Sequence, residues 1–212
     1  MITIFTKNNK LNEVRNSLTI TYPRVVNIIY GNYPYPERVH NFILDIKNNL
    51  DSTMENYTNV KGGMTNWCHY IDNDNFKTFI SYLINTHQTT HPKIFKYFLE
   101  KNTIQNAWGN EIKKDDSLDY HTHPCWHGVL YLTKGCDLIL PELNLKILPQ
   151  PGDYYIFPPE ILHGFGKSND EINRYSLVFN IAPKDHFQLQ KKVRDKKAKE
   201  DAYNEKENSK YK

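Results

Sequence analysis

The sequence predicts an α+β chain in which helices come first and a small β-barrel follows. Three observations carry this. Apolar residues recur at helical spacing as far as about residue 101. From about residue 102, short β-branched and aromatic runs succeed one another with turn residues between them. At 212 residues the chain is long enough to bury a core without staples.

The elements follow in order. "RVVNIIY" (24–30) is rich in β-branched residues and reads as a strand. In "YPYPERVHNFILDIKNNL", Pro36 suits a first helical turn, and Val39, Phe42, Ile43, Ile46 and Leu50 mark one helical face. "TNVKGGMTNW" (58–67) reads as a loop whose Gly pair permits hinge motion, a candidate lid. A second amphipathic helix runs through Phe76, Phe79, Ile80 and Leu83, and a third through Ile94, Phe95 and Phe98. Eight β-runs then fall near 103–112, 117–123, 128–133, 136–140, 143–148, 153–157, 161–166 and 173–181. The expected organisation is a single domain over 1–183, with a helical part (1–101) and a β core (102–183), followed by a charged tail (184–212). The tail is too poor in apolar residues to order itself.

Composition bounds the function loosely. The formal charge of +3 comes largely from the tail, so it marks no nucleic-acid patch. Cys68, Cys125 and Cys136 form no CxxC pair, which suits a reducing, cytoplasmic setting. The opening apolar stretch is too short for a signal peptide, and no run has the length of a membrane span.

The chemistry concentrates in "HTHPCWHG" (121–128). His121 and His123 lie two apart on an expected strand, so alternation puts both imidazoles on one face. Imidazole is the commonest metal ligand among side chains. His163, in "PGDYYIFPPEILHGFG" (151–166), offers a third nitrogen from a later strand, a set that zinc, iron or nickel accepts. Pro124 breaks the first strand, so His127 reads as lining a pocket more readily than as a ligand. In "NRYSLVFNI" (173–181), alternation sends Arg174, Ser176, Val178 and Asn180 to one face, and Tyr175, Leu177, Phe179 and Ile181 to the other. The apolar face needs a partner layer, which the N-terminal helices can provide. A guanidinium fork beside a hydroxyl matches a carboxylate.

These pieces together resemble the iron(II)/2-oxoglutarate-dependent oxygenases, and most closely a prolyl-hydroxylase-like group common in phage and marine microbial genomes. The resemblance rests on "WGN" (108–110), "HTHP" (121–124), "GVLYL" (128–132), "PQPGD" (149–153), "FPP" (157–159), "ILH" (161–163) and "RYSLVFN" (174–180), and covers about residues 105–181. It implies a double-stranded β-helix (a jelly-roll, cupin-like barrel) with the N-terminal helices on one face. It also implies iron(II), with 2-oxoglutarate and dioxygen as cosubstrates, hydroxylation as the outcome, and a phage or viral source with a host-cytoplasmic location. His121 and His163 match the family's iron-binding histidines. Arg174 and Ser176 match its group for the far carboxylate of 2-oxoglutarate. Tyr131 adds a hydroxyl, and Asn110 and Asn180 stand as cosubstrate or supporting contacts.

The departure is His123, where most of the superfamily has an acidic residue. Three readings follow: a three-histidine centre with His123 ligating, a two-histidine centre with water, or a different chemistry. Same-face geometry favours ligation, while Asp119, inward by parity, precedes His121 and does not fit the pattern. The alternatives are a cupin-type metal enzyme without 2-oxoglutarate, a non-catalytic barrel module and a three-histidine zinc hydrolase. "GDYYIFPPEILH" and "HTHPCWH" resemble the two cupin motifs, with His127 near the usual Glu, but a cupin has no need of Arg174 and Ser176. The substrate, a protein side chain or a small molecule, is not legible. Tyr30, Tyr33, Tyr35, Trp67 and Trp126 are candidates to line its groove.

Overall fold

The computed structural model describes residues 2–5, 12–14, 17–19, 25–54, 60–90, 92–165, 167–168 and 171–185. Strands β1 (Ile2–Phe5), β2 (Asn12–Val14), β3 (Ser17–Thr19) and β4 (Val25–Asn32) come first, then helix α1 (Pro36–Asn48). Two short strands follow, β5 (Val60–Lys61) and β6 (Gly63–Met64), and then helices α2 (Asp74–Thr90) and α3 (Pro92–Lys101). The rest is β7 (Asn102–Ile112), β8 (Ser117–His121), β9 (Trp126–Tyr131), β10 (Leu138–Leu140), β11 (Leu145–Ile147), β12 (Asp153–Phe157), β13 (His163–Phe165) and β14 (Arg174–Pro183). Each of the eight expected β-runs has its strand.

The strands form two antiparallel sheets of the double-stranded β-helix. One has seven strands in the order β1-β4-β12-β9-β14-β7-β6, the other five in the order β11-β10-β13-β8-β5. β2 and β3 pair separately. The helices cover the larger sheet. Their buried residues Val39, Phe42, Ile46, Phe76, Phe79 and Leu83 pack with Leu130, Ile156, Leu177 and Phe179 of that sheet in one apolar cluster. Fully burying a side chain of this size is worth roughly 1.5–3 kcal/mol, so this layer holds the helices in place. Close approach requires glycine at two points. A Cβ on Gly109 would stand 2.3 Å from an Ile46 side-chain atom, and one on Gly128 would stand 2.1 Å from Phe179 Cζ.

Between the sheets lie two smaller apolar clusters. Val129, Tyr131, Leu138 and Phe157 belong to one, and Val60, Trp108, Ile112 and Phe165 to the other. They frame the cavity described below.

Several expectations are corrected. The first hundred residues are not a helical part set apart from a β core: β1, β4, β5 and β6 all join the two large sheets. The stretch 58–67 is not a free lid loop in its described portion (60–67). Val60 pairs with Leu118 and Met64 with Asn110, and Val60, Met64 and Thr65 are buried. Leu50 lies beyond the end of α1 and is exposed. The charged tail lies outside the described residues from 186 onward. Among the described residues, no helix is long and apolar enough to cross a membrane.

Candidate metal centre

β8 and β13 pair antiparallel with His163 directly opposite His121, so two imidazoles meet across one sheet. β8 ends at His121. His123 therefore lies past the strand, not on it as alternation assumed. Its carbonyl accepts the Glu160 N–H at 3.0 Å, which ties the turn after β8 to the turn before β13. Glu160 sits there at φ 66, a left-handed conformation uncommon for a side chain of this kind.

The three histidines still converge. Their nitrogens lie within 4.8 Å of one another, and Nε2 of His121 stands 3.1 Å from Nε2 of His123. His121 Nδ1 lies 2.8 Å from the Asp119 carbonyl and His163 Nδ1 2.9 Å from the Ile161 carbonyl. A ring that gives its Nδ1–H to a carbonyl keeps the Nε2 lone pair free, the posture of a braced metal ligand. His123 has no such carbonyl brace; the Asn180 amide lies near it and favours a proton on its ring, with no hydrogen bond formed from Asn180 Oδ1. Burial lowers the pKa of His121, and burial with its histidine neighbours takes His123 down to about 3 and His163 to about 4. All three are neutral near pH 7, the form that binds metal.

The larger sheet supplies the opposite wall. On β14, Arg174, Ser176 and Val178 face a cavity of about 250 Å³, and Tyr175, Leu177 and Phe179 face the helices. The register sets Ser176 between Tyr131 on β9 and Asn110 on β7, and all three line the cavity. Arg174 is buried, with its guanidinium 4.7 Å from the Tyr131 ring centre and 4.6 Å from that of Phe165. Its Nε and Nη1 have no hydrogen-bond partner, and no acidic residue lines the cavity among those described. A buried, unpaired guanidinium is costly, and these donors suit an anionic group. Asn110 Oδ1 and Trp108 Nε1, both buried, are likewise unpaired.

The other sequence candidates divide. Asn180 does not line the cavity; it sits six residues along β14 from Arg174 and backs His123. Asp119 is exposed and contributes its carbonyl, not its carboxylate. Of the aromatic candidates, Trp67 lines the cavity, 4.5 Å from Trp108 between ring centres. Tyr33 is core, Tyr30 and Tyr35 are exposed, and Trp126 packs on Phe98. Sequence reasoning passed over Trp108, Phe157 and Phe165 as cavity walls. Period-two spacing from Asn110 and His163 would have found Trp108 and Phe165.

Neutral nitrogen donors beside an unpaired cation suit a divalent metal with an anionic ligand. No family model and no curated protein matches the sequence. Solved structures do match by shape. A viral collagen prolyl hydroxylase from Paramecium bursaria Chlorella virus-1, solved as its 2OG complex, aligns with TM-score 0.54 and 12% identity over 73% of this chain and 94% of its own. A prolyl-4-hydroxylase from Pseudomonas putida gives TM-score 0.56 and 12% identity over 73% and 91%. HygX from Streptomyces hygroscopicus, with nickel and 2-oxoglutarate bound, gives 0.53 and 11% over 75% and 84%. The chain thus has the double-stranded β-helix fold of the 2-oxoglutarate/iron(II) oxygenases.

Proposed function

We propose that this protein is an iron(II)- and 2-oxoglutarate-dependent oxygenase, a hydroxylase of a protein side chain or a small molecule, formed by one domain over residues 1–183. One observation carries the reading. Three convergent, neutral histidine nitrogens share a cavity with a buried arginine whose donors are unspent.

His121, His123 and His163 hold the iron. Iron(II), when bound, supplies the redox chemistry that couples dioxygen and 2-oxoglutarate to hydroxylation of a C–H bond. Arg174 binds the far carboxylate of 2-oxoglutarate through its Nε and Nη1, which have no partner within the protein among the described residues. The Tyr131 and Phe165 rings lie against the guanidinium, which holds it in place. Ser176 and Asn110 add polar contacts beside it. Trp67, Trp108 and Phe165 keep the cavity dry, which strengthens the ion pair. A cupin-type enzyme without 2-oxoglutarate leaves the buried Arg174 without a role.

The test is anaerobic absorption spectroscopy of the apoprotein, titrated with iron(II) and then with 2-oxoglutarate. A metal-to-ligand charge-transfer band is expected, and it is expected to vanish in Arg174→Ala and His163→Ala proteins that remain folded. Bound iron without such a band overturns the 2-oxoglutarate assignment. Succinate formation with candidate peptides and metabolites then narrows the substrate.

A further inference from the structure

His127 enters the cavity from β9, in the sheet opposite His121 and His163. It is 2% exposed, and neither ring nitrogen has a hydrogen-bond partner among the described residues. The Cys125 carbonyl lies near the ring but outside hydrogen-bonding geometry, so it does not fix the tautomer. His121 and His163 each meet a carbonyl instead. Buried polar groups are nearly always bonded, so two uncommitted nitrogens on a cavity wall call for a ligand.

The faces of this ring are already taken. It stacks on His123 with centres 4.2 Å and planes 19° apart, on His163 at 4.5 Å and 20°, and on Phe157 at 5.1 Å and 26°. An imidazole binds an ion in its own plane, along a nitrogen lone pair. His127 lies nearly parallel to two of the ligand rings, with its nitrogens outside their cluster, so it does not share their ion. Its edge remains, and the edge carries both nitrogens. A neutral imidazole has one N–H to donate.

The register shows which end of the cavity this edge serves. On the larger sheet His127 is opposite Phe157 and Asn180, whereas Arg174 is opposite Ile112. The cavity thus has a cationic end at Arg174 and an imidazole end beside the metal centre. Among the described residues that line it, no carboxylate competes for the His127 N–H.

We propose that His127 donates its N–H to the carboxylate bound at the metal end, the one next to the keto group of 2-oxoglutarate. This rests on the oxygenase reading above and deepens it. Arg174 and His127 then recognise opposite ends of one dicarboxylate, while the metal centre keeps three histidines.

The test uses the full chain loaded with Ni(II), in wild-type, His127→Phe, His127→Gln and Arg174→Met forms. Phenylalanine keeps the stack and removes the N–H; leucine replaces it if the melting temperature shows that protein unfolded. X-ray absorption is expected to count three imidazoles on the ion in wild type and His127→Phe alike. Affinity for 2-oxoglutarate, measured by calorimetry, is expected to fall about tenfold or more in His127→Phe, the scale of a hydrogen bond to a charged group. It is expected to recover in part in His127→Gln, whose amide donates. Pyruvate has the keto-acid head and lacks the far carboxylate, so it is expected to lose a like factor in His127→Phe and little in Arg174→Met. Unchanged 2-oxoglutarate affinity in His127→Phe, or a loss absent with pyruvate, overturns the contact and leaves the cosubstrate assignment standing. So does a fourth imidazole in the wild type that His127→Phe removes. No binding of 2-oxoglutarate by the metal-loaded wild type overturns the contact and the cosubstrate assignment together.

Discussion

The two faces of β14 make opposite use of burial. On one, Tyr175, Leu177, Phe179 and Ile181 pack into the helices, and the polar group there is satisfied: the Tyr175 hydroxyl donates to Glu111 Oε1 at 2.5 Å. On the other, Arg174 and Asn180 each keep buried polar atoms without partners. A single strand of ten residues thus carries a stabilising face and a face that holds unspent interactions for a ligand. Stability and function are divided by a period of two, and each half can be disturbed separately.

The largest effect belongs to the apolar face. Phe179→Ala empties the space that Gly128 is shaped to leave, and is expected to cost about 3–5 kcal/mol, read from urea unfolding, with metal affinity per folded molecule little changed. A comparable loss from Arg174→Met would erase the contrast. That substitution removes an uncompensated buried charge, so stability is expected to hold or rise, within about 1–4 kcal/mol. Binding of 2-oxoglutarate, measured by calorimetry on the iron-loaded protein, falls more than about tenfold, since charge-assisted pairs are the strong ones.

The third prediction concerns pH. Burial holds the imidazoles of His123 and His163 down to about 3 and about 4, both below the ordinary imidazole value of 6.5. Below 6.5 the unfolded chain takes up protons that the folded chain refuses, so folding weakens as pH falls toward 4. Melting temperatures of the apoprotein are expected to drop across that window, and His163→Phe is expected to flatten the slope. An unchanged slope would mean that these rings are not the groups that titrate. The smallest effect lies at the turn joining the sheets. Glu160→Gly relieves the left-handed backbone and is expected to add about 1 kcal/mol or less, seen as a small rise in melting temperature.

Much of this was legible in the chain because its signals are local. The eight β-runs, the faces of α1 and α2, and the split of β14 all follow from periodicity in a few consecutive residues. Pairing was not legible. "RVVNIIY" reads as a strand, yet nothing in it says that it lies between β1 and β12. Nor does "NVKGG" announce that Val60 will pair with Leu118, because such short strands get their order from their neighbours. At the site, His121, His163 and Arg174, singled out by spacing and by the resemblance, line one cavity. Asn180, expected as a cosubstrate or supporting contact, lies off the cavity and beside His123, a position that depends on its distance from Arg174 along β14. His127 stayed ambiguous because Pro124 hides the direction of the chain until β9 is seen to begin at Trp126.

The direct pairing of His163 with His121 also bears on how such a centre arises and disappears. Side chains alternate along a strand, so one residue inserted in β8 ahead of His121 turns that imidazole out of the cavity. Restoring it takes a second event, either a deletion that resets the register or a histidine at the position the slip has turned inward. In lineages of this fold, the histidine pair should be lost in one step and regained only by a second, compensating one, and a duplicated copy that slips its register without it keeps the barrel and loses the pair.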